Sequence, residues 1–246
     1  MNKIAVLSDL HGNIPAIEKV LADLKLKQVD RIFCLGDLIS GPLWPKETIE
    51  FLMRQDWTFV RGNHDRRLVE RPPEKLGPSD AYARQFLNNS ELEWLASLPS
   101  TLEVDDTFFL CHGSPSKDTT YLLETIEHGG IRLSSPQDIA LKAGDTRLPM
   151  LLCGHSHTPR VVNLSGGLTI VNPGSVGVPA YEDDSDGYFV VENGSPHARY
   201  VILEESDEGW KAEIILVPYD HHKAAAQAQK NNRPDYVIGL STGFMH

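Results

Sequence analysis

Two packed, mixed β-sheets with helices on their outer faces, in one domain spanning residues 1–246, are the architecture this sequence predicts; the class is α/β (α+β). Three observations carry that expectation. Short apolar runs alternate with amphipathic stretches near the N-terminus, the pattern of parallel strands joined by helical crossovers. Beyond residue 150 strand-like runs recur with little helix between them. No repeat, linker or low-complexity tract divides the 246 residues, and a chain of this length buries roughly 70–75% of its unfolded surface.

Taken in order, residues 3–8 read as a buried strand. Ile14, Ile17, Val20, Leu21 and Leu24 then follow helical spacing, with Asn13 as N-cap. A second strand covers 31–35, and Pro45 opens a helix running to about Gln55, as proline does in a first turn. Residues 57–60 form a third strand. The stretch 72–99 is helical, with a capping box expected at Ser90–Glu93. A strand at 107–111 precedes two expected helices, 117–127 and 136–143. Strands follow at 150–153, 168–171, 187–191, 198–203 and 211–217, and an Ala-rich helix covers 222–230.

Charge excludes some functions. With 23 basic against 34 acidic residues the net charge is −11. A sequence-independent binder of long nucleic acid needs a basic face to neutralise phosphates, and docking to anionic membrane needs the same. The apolar run at the N-terminus is too short for a signal-peptide core, and no stretch approaches the ~20 apolar residues of a membrane span. Three cysteines, Cys34, Cys111 and Cys153, are an odd number; a reducing cytoplasm with inert, buried thiols is expected. Strand alternation puts Cys111 on the face opposite His112.

Five of the ten histidines fall in short motifs just past expected strands. These are Asp9-Leu10-His11, Gly36-Asp37, Gly62-Asn63-His64-Asp65, His112-Gly113 and Gly154-His155-Ser156-His157. Ligands of α/β sheets gather outside the carboxyl ends of strands, so such loops converge. Asp9, His11, Asp37, Asn63, His112, His155 and His157 supply carboxylate, amide and imidazole donors suited to metal. On extended backbone, Asp9 with His11 and His155 with His157 point to one face. Seven donors exceed a closed four-coordinate site and suit two ions about 3.5–4 Å apart sharing one carboxylate. Asp37 is the expected bridge, as the strong ligand of its loop. Without thiolates the donor set favours Mn, Fe, Ni or catalytic Zn, with Mn preferred.

Each motif has an ordinary reading: a solvated Asp-x-His, a Gly-Asp turn, a hairpin at Gly62–Asp65. Their succession, each after a strand, favours the metal reading. Other chemistries fit less well. Gly154–Thr158 lacks the final glycine of a serine nucleophile elbow. A metal-dependent amidohydrolase would place His-x-His after the first strand, where this chain has Asp9-x-His11. His128, His197 and His246 are expected at the surface, and His221-His222 at a helix start.

The ordered set resembles the calcineurin-like metallophosphoesterase superfamily. Ser8–Asn13, Cys111–Pro115 and Asn172–Gly177 extend the resemblance to its compact bacterial and archaeal phosphodiesterase branch. The resemblance implies a four-layer α-β-β-α sandwich. It also implies one divalent ion on Asp9, His11, Asp37 and His157, and a second on Asp37, Asn63, His112 and His155. The implied activity is hydrolysis of a small phosphodiester or nucleotide by a metal-bridging hydroxide. His64 would contact the phosphate and protonate the leaving oxygen, Asp65 would orient His64, and Asn13 and Asn63 would help hold the substrate. A phosphomonoesterase, a nucleotide pyrophosphatase and a non-catalytic scaffold of the same fold are the alternatives. Where many relatives carry a glycine-tyrosine pair, this chain reads Leu38–Pro45; there Trp44 either stacks a nucleobase or packs in the core. The acidic segment Glu182–Asp186 and the last thirty residues carry the least information.

Overall fold

A computed structural model describes residues 2–127, 129–184 and 187–246. His128 and the end of the acidic segment, Ser185 and Asp186, lie outside the described residues.

The chain begins as expected. Strand β1 (Lys3–Leu7) leads through a tight loop to helix α1 (Ile14–Lys27), β2 (Arg31–Cys34), α2 (Pro45–Leu52) and β3 (Thr58–Phe59). Asn13 caps α1, its side-chain oxygen accepting the Ala16 N–H at 3.3 Å. β1, β2 and β3 run parallel, and β13 (Ala198–Ser206) adds to β1 antiparallel, followed by β14 (Gly209–Val217). The order of this sheet is β14-β13-β1-β2-β3.

The second sheet has the order β4-β5-β8-β10-β9. Its parallel centre is β5 (Phe108–Cys111), β8 (Met150–Leu152) and β10 (Thr169–Asn172). Antiparallel edges are β4 (Thr101–Val104) and β9 (Arg160–Asn163). Both sheets are therefore mixed.

Strand alternation sorts the core into three layers. Ile4, Val6, Phe33, Leu35, Phe108, Leu110, Met150 and Leu152 meet between the sheets. Ala5, Leu7 and Cys34 point the other way, against Ile17 and Val20 of α1, Ile49 of α2 and Ala224 of α7 (His221–Lys230). Cys111, Leu151, Cys153 and Ile170 cover the opposite face under Ile139 of α6 (Pro136–Ala143). Each fully buried Leu or Phe is worth roughly 1.5–3 kcal/mol, so both sheets are covered on both sides. The result is a four-layer α-β-β-α sandwich. All three cysteines are buried free thiols in the helix-facing layers.

Several local expectations change. The motif Gly62–Asp65, whose ordinary reading is a hairpin turn, instead begins helix α3 (Asn63–Glu70), which no apolar period announces. The stretch 72–99 is broken into a short 3-10 turn, α4 (Pro78–Arg84) and α5 (Asn89–Ser97). The capping box of α5 lies two residues earlier than expected, with Asn88 Oδ1 accepting the Glu91 N–H and Glu91 accepting the Asn88 N–H. Asn88→Ala is expected to cost about 1 kcal/mol of unfolding free energy, read as a lower urea midpoint. The helix expected at 117–127 is instead loop and hairpin, β6 (Glu124–Glu127) with β7 (Gly130–Leu133). Leu122 and Leu123 are buried with Ile139, so they anchor the loop under α6 rather than forming a helical stripe. A further hairpin joins β11 (Ala180–Asp183) to β12 (Phe189–Glu192), and α8 (Asp235–Thr242) follows α7. Trp44 packs against the core beside α2. His246 is exposed, whereas His197 is only partly so. No helix of the described residues is long and apolar enough to cross a membrane.

Candidate metal centre

The motifs sit where parallel strands end. Asp9 and His11 follow β1, Asp37 follows β2, Asn63 and His64 follow β3, His112 follows β5, and His155 and His157 follow β8. Carboxyl ends of strands from both sheets thus meet at one edge of the sandwich. The end of β10 and the loop after it tie them together: Ser175 Oγ donates to the Asp9 carbonyl at 2.8 Å, and Asn172 Nδ2 donates to the Gly154 carbonyl at 2.8 Å.

Convergence does not come from extended backbone, as the i, i+2 spacing predicts. Asp9 (φ 55°), His11 (φ 47°), Asp37 (φ 53°), His155 (φ 66°) and His157 (φ 56°) are all left-handed. Such conformations each cost of order 1–3 kcal/mol in sparsely populated regions and persist where surroundings over-determine them. The motif glycines allow close approach. A Cβ at Gly62 would press into the Asp37 carboxylate, and one at Gly154 into Ser8 Oγ.

The donor atoms form two groups, Asp9 with His11 and His157, and Asp37 with His112 and His155; within each group they lie within 4.8 Å of one another. Asp9 Oδ1 is 3.3 Å from His157 Nε2 and 3.9 Å from both His11 Nε2 and His112 Nε2, so the groups adjoin. Asn63 Oδ1 joins the second group, 3.0 Å from His112 Nε2.

Backbone carbonyls fix the tautomers. His11 Nδ1 donates to Ser40 O, His112 Nδ1 to Leu35 O and His157 Nδ1 to Val178 O, each at 2.7 Å. Holding one ring nitrogen this way turns the other, Nε2, inward as a ligand. Of these three inward nitrogens, that of His112 meets complementary acceptors once protonated, whereas those of His11 and His157 do not. His11 Nε2 and His157 Nε2 face each other at 3.1 Å. His112 Nε2 faces two acceptors, Asn63 Oδ1 and Asp37 Oδ2, the latter at 3.1 Å. Asp9 Oδ1 is buried with no hydrogen-bond partner. Acceptors directed at one another in a buried site are what a divalent cation satisfies, so the residues present fit the two ions.

Burial pulls the His11 imidazole down to about 4, helped by His157, and pulls His155 down to about 3, helped by His112. Both are neutral, as ligands are. Burial opposes charge on His112, but the Asp37 carboxylate outweighs it and raises that imidazole to about 10. Asp9 is held near 2 against burial by His157, and Asp37 lies well below the usual carboxylate range, chiefly through His112.

His64 lies beside this centre, half-buried, its ring 5.7 Å from that of His11. Its orienting partner is not Asp65. His64 Nδ1 bonds Asp80 Oδ1 at 2.6 Å, and Ser40 Oγ donates to the same oxygen. Asp65 spends both oxygens on backbone, accepting N–H bonds from Asp37, Leu38 and Gly62 at 2.9–3.0 Å. It therefore pins the Asp37 loop to the start of α3. Asp80 lies in α4, sixteen residues from His64, and no motif marks it.

Asn13 does not face the substrate space. It is fully buried, and its Nδ2 donates to Gly177 O at 2.8 Å and Tyr219 Oη at 3.0 Å, while its oxygen caps α1. The cavity at the centre, about 250 Å³, is lined by His11, Asp37, Asn63, His64, His155 and His157. The rest of its wall includes residues that sequence reasoning missed: Arg67, Tyr121, Tyr181, Arg233 and Tyr236.

Comparison with known proteins agrees with this geometry. An uncharacterized protein of Methanocaldococcus jannaschii is 28% identical, with 95% of each chain covered. A metallophosphoesterase structure from Sphaerobacter thermophilus superposes with a TM-score of 0.75 at 25% identity, covering 99% of each chain. The calcineurin-like phosphoesterase superfamily domain matches residues 2–195, a span that holds every donor of the two groups and His64. With most of its length inside that domain and the metal-ligand geometry in place, the chain belongs to the calcineurin-like phosphoesterase superfamily.

Proposed function

We propose that the protein is a two-metal phosphodiesterase that cleaves a small phosphodiester or nucleotide, with His64 as general acid. The observation that carries this is the pair of adjoining donor groups with a carboxylate-anchored histidine beside them. Asp9, His11 and His157 would hold one ion and Asn63, His112 and His155 the other, with Asp37 between. Asp37 supports that bridging role because it acts electrostatically on His11 of one group and His112 of the other. Manganese is the preferred ion, with iron, nickel or zinc as substitutes, since the donors are oxygen and nitrogen. When bound, such ions supply Lewis-acid charge and lower the pKa of water towards ~7.

The chain's own part is positioning and proton transfer. Burial disfavours a charged His64, but Asp37 and Asp80 outweigh it and raise its pKa. With Nδ1–H spent on Asp80, the Nε2–H of the imidazolium is available to the leaving oxygen. The net charge of −11 disfavours long nucleic acid and anionic membrane as partners, while two dications held against two carboxylates would attract phosphate locally. Three buried free thiols support a cytoplasmic location.

The test is a metal-reconstituted screen of diesters, monoesters and dinucleotide polyphosphates, with metal content measured in parallel. Metal-dependent diester hydrolysis above monoester hydrolysis is expected; absence of turnover with two ions bound would refute the assignment. Metal uptake also has a pH signature. His112 is protonated below about 10 in the metal-free protein, and a metal must displace that proton. Affinity should therefore rise with pH by about tenfold per unit for the one displaced proton, measurable by calorimetry at pH 6, 7 and 8.

A further inference from the structure

The cavity is enclosed by a ring of segments that closes on itself. Arg66 of α3 makes a bidentate bond to Asp118, at 2.6 and 2.9 Å. From that loop Tyr121 Oη bonds Tyr181 Oη of β11 at 2.6 Å. Against β11 lies α8, so close that a Cβ at Gly239 would press into the Ala180 carbonyl. The start of α8 reaches α4, with Tyr236 Oη 2.8 Å from Ser79 Oγ. Asp80, the next residue, returns to α3 through His64. The C-terminal segment beyond the matched family domain thus completes the wall. At about 250 Å³ the space lies at the low end for small-molecule pockets and suits a small substrate.

Among the described residues, one arginine on this wall, Arg67, keeps a buried guanidinium nitrogen, Nε, without a hydrogen-bond partner, although its charge acts on Asp80. Arg66 is taken by Asp118, and Arg233 is paired with Asp235 at 2.6 Å. Arg67 lies four residues after Asn63 and three after His64 on α3, so it shares their helical face. A buried guanidinium donor left unpaired is costly, and charge-assisted bonds to phosphate or carboxylate are the strong way to satisfy it.

We propose that the substrate is a small phosphoester carrying a second anionic group, which Arg67 receives while the ester phosphate sits among the histidines. This rests on the phosphodiesterase reading above. The test compares two diesters with the same leaving group, 4-nitrophenyl propyl phosphate and 4-nitrophenyl 3-phosphonopropyl phosphate, on the manganese-loaded full chain. The wild type is expected to favour the phosphonate by about tenfold or more in kcat/KM, the size of one charge-assisted bond. Arg67→Gln should erase that preference, and Arg67→Lys should keep part of it. Equal wild-type rates on the two diesters, or a preference that survives in Arg67→Gln, would overturn the second-anion assignment while leaving the phosphodiesterase reading intact. No turnover of either diester would overturn both.

Discussion

Asp37→Asn is expected to purify without either metal ion and to lose diester hydrolysis by more than the about 10²–10³ that loss of a single electrostatic stabiliser costs. The substitution is nearly isosteric. Asp37 Oδ1 accepts the His64 N–H at 2.9 Å, and an asparagine oxygen keeps that bond, so the loop should stay in place. What disappears is the negative charge that faces His112 at 3.1 Å and acts on His11 as well. If Asp37 bridges, both donor groups would lose their shared anion, and Asp9 would be the single carboxylate left among the seven donors. Elemental analysis with a thermal melt separates the outcomes. An unchanged melt with no bound metal supports the bridge; two ions per chain retained in Asp37→Asn would contradict it.

The second large effect is at His64. His64→Ala should keep its metal and lose about 10²–10⁴ in rate on diesters with alkyl leaving groups. With 4-nitrophenolate, which departs without a proton, the loss should be small. Asp80→Asn should fall in the same direction by a lesser factor, because Asp80 acts only through the imidazole it holds at 2.6 Å. Asp65→Asn makes a useful contrast. Its carboxylate bonds three backbone N–H groups, so its loss should loosen the Asp37 loop and weaken metal binding without changing leaving-group dependence. Equal losses for His64→Ala on alkyl and aryl leaving groups would remove His64 from proton transfer.

Much of this site is legible in the chain because its chemistry sits directly after strands whose apolar runs are strong. β1, β2, β5 and β8 are each buried on both faces, so their ends, and the donors beyond them, stand out. Helix α3 does not stand out. Asn63–Glu70 is polar except for Leu68 and Val69, so no apolar period announces it, and its start is fixed by tertiary bonds to Asp65. The 117–127 stretch misleads in the opposite sense: Leu122 and Leu123 have helix-like spacing with Ile126 but are buried against α6 from an irregular loop. Asp80 is hidden for a different reason. An aspartate in the first turn of a helix reads as ordinary N-terminal charge, and only the packing of α4 against α3 brings it to His64. The same holds for Arg67, whose neighbour Arg66 is indistinguishable from it in sequence yet is neutralised by Asp118.

On the proposed function, two metal ions should occupy the two adjoining donor groups when the protein is loaded. The most direct measurement is anomalous diffraction at the manganese edge from crystals of the reconstituted protein. Two peaks are expected, one among Asp9, His11 and His157 and one among Asp37, Asn63, His112 and His155. A single peak, or metal only at the surface pair His221 and His222, would contradict that assignment.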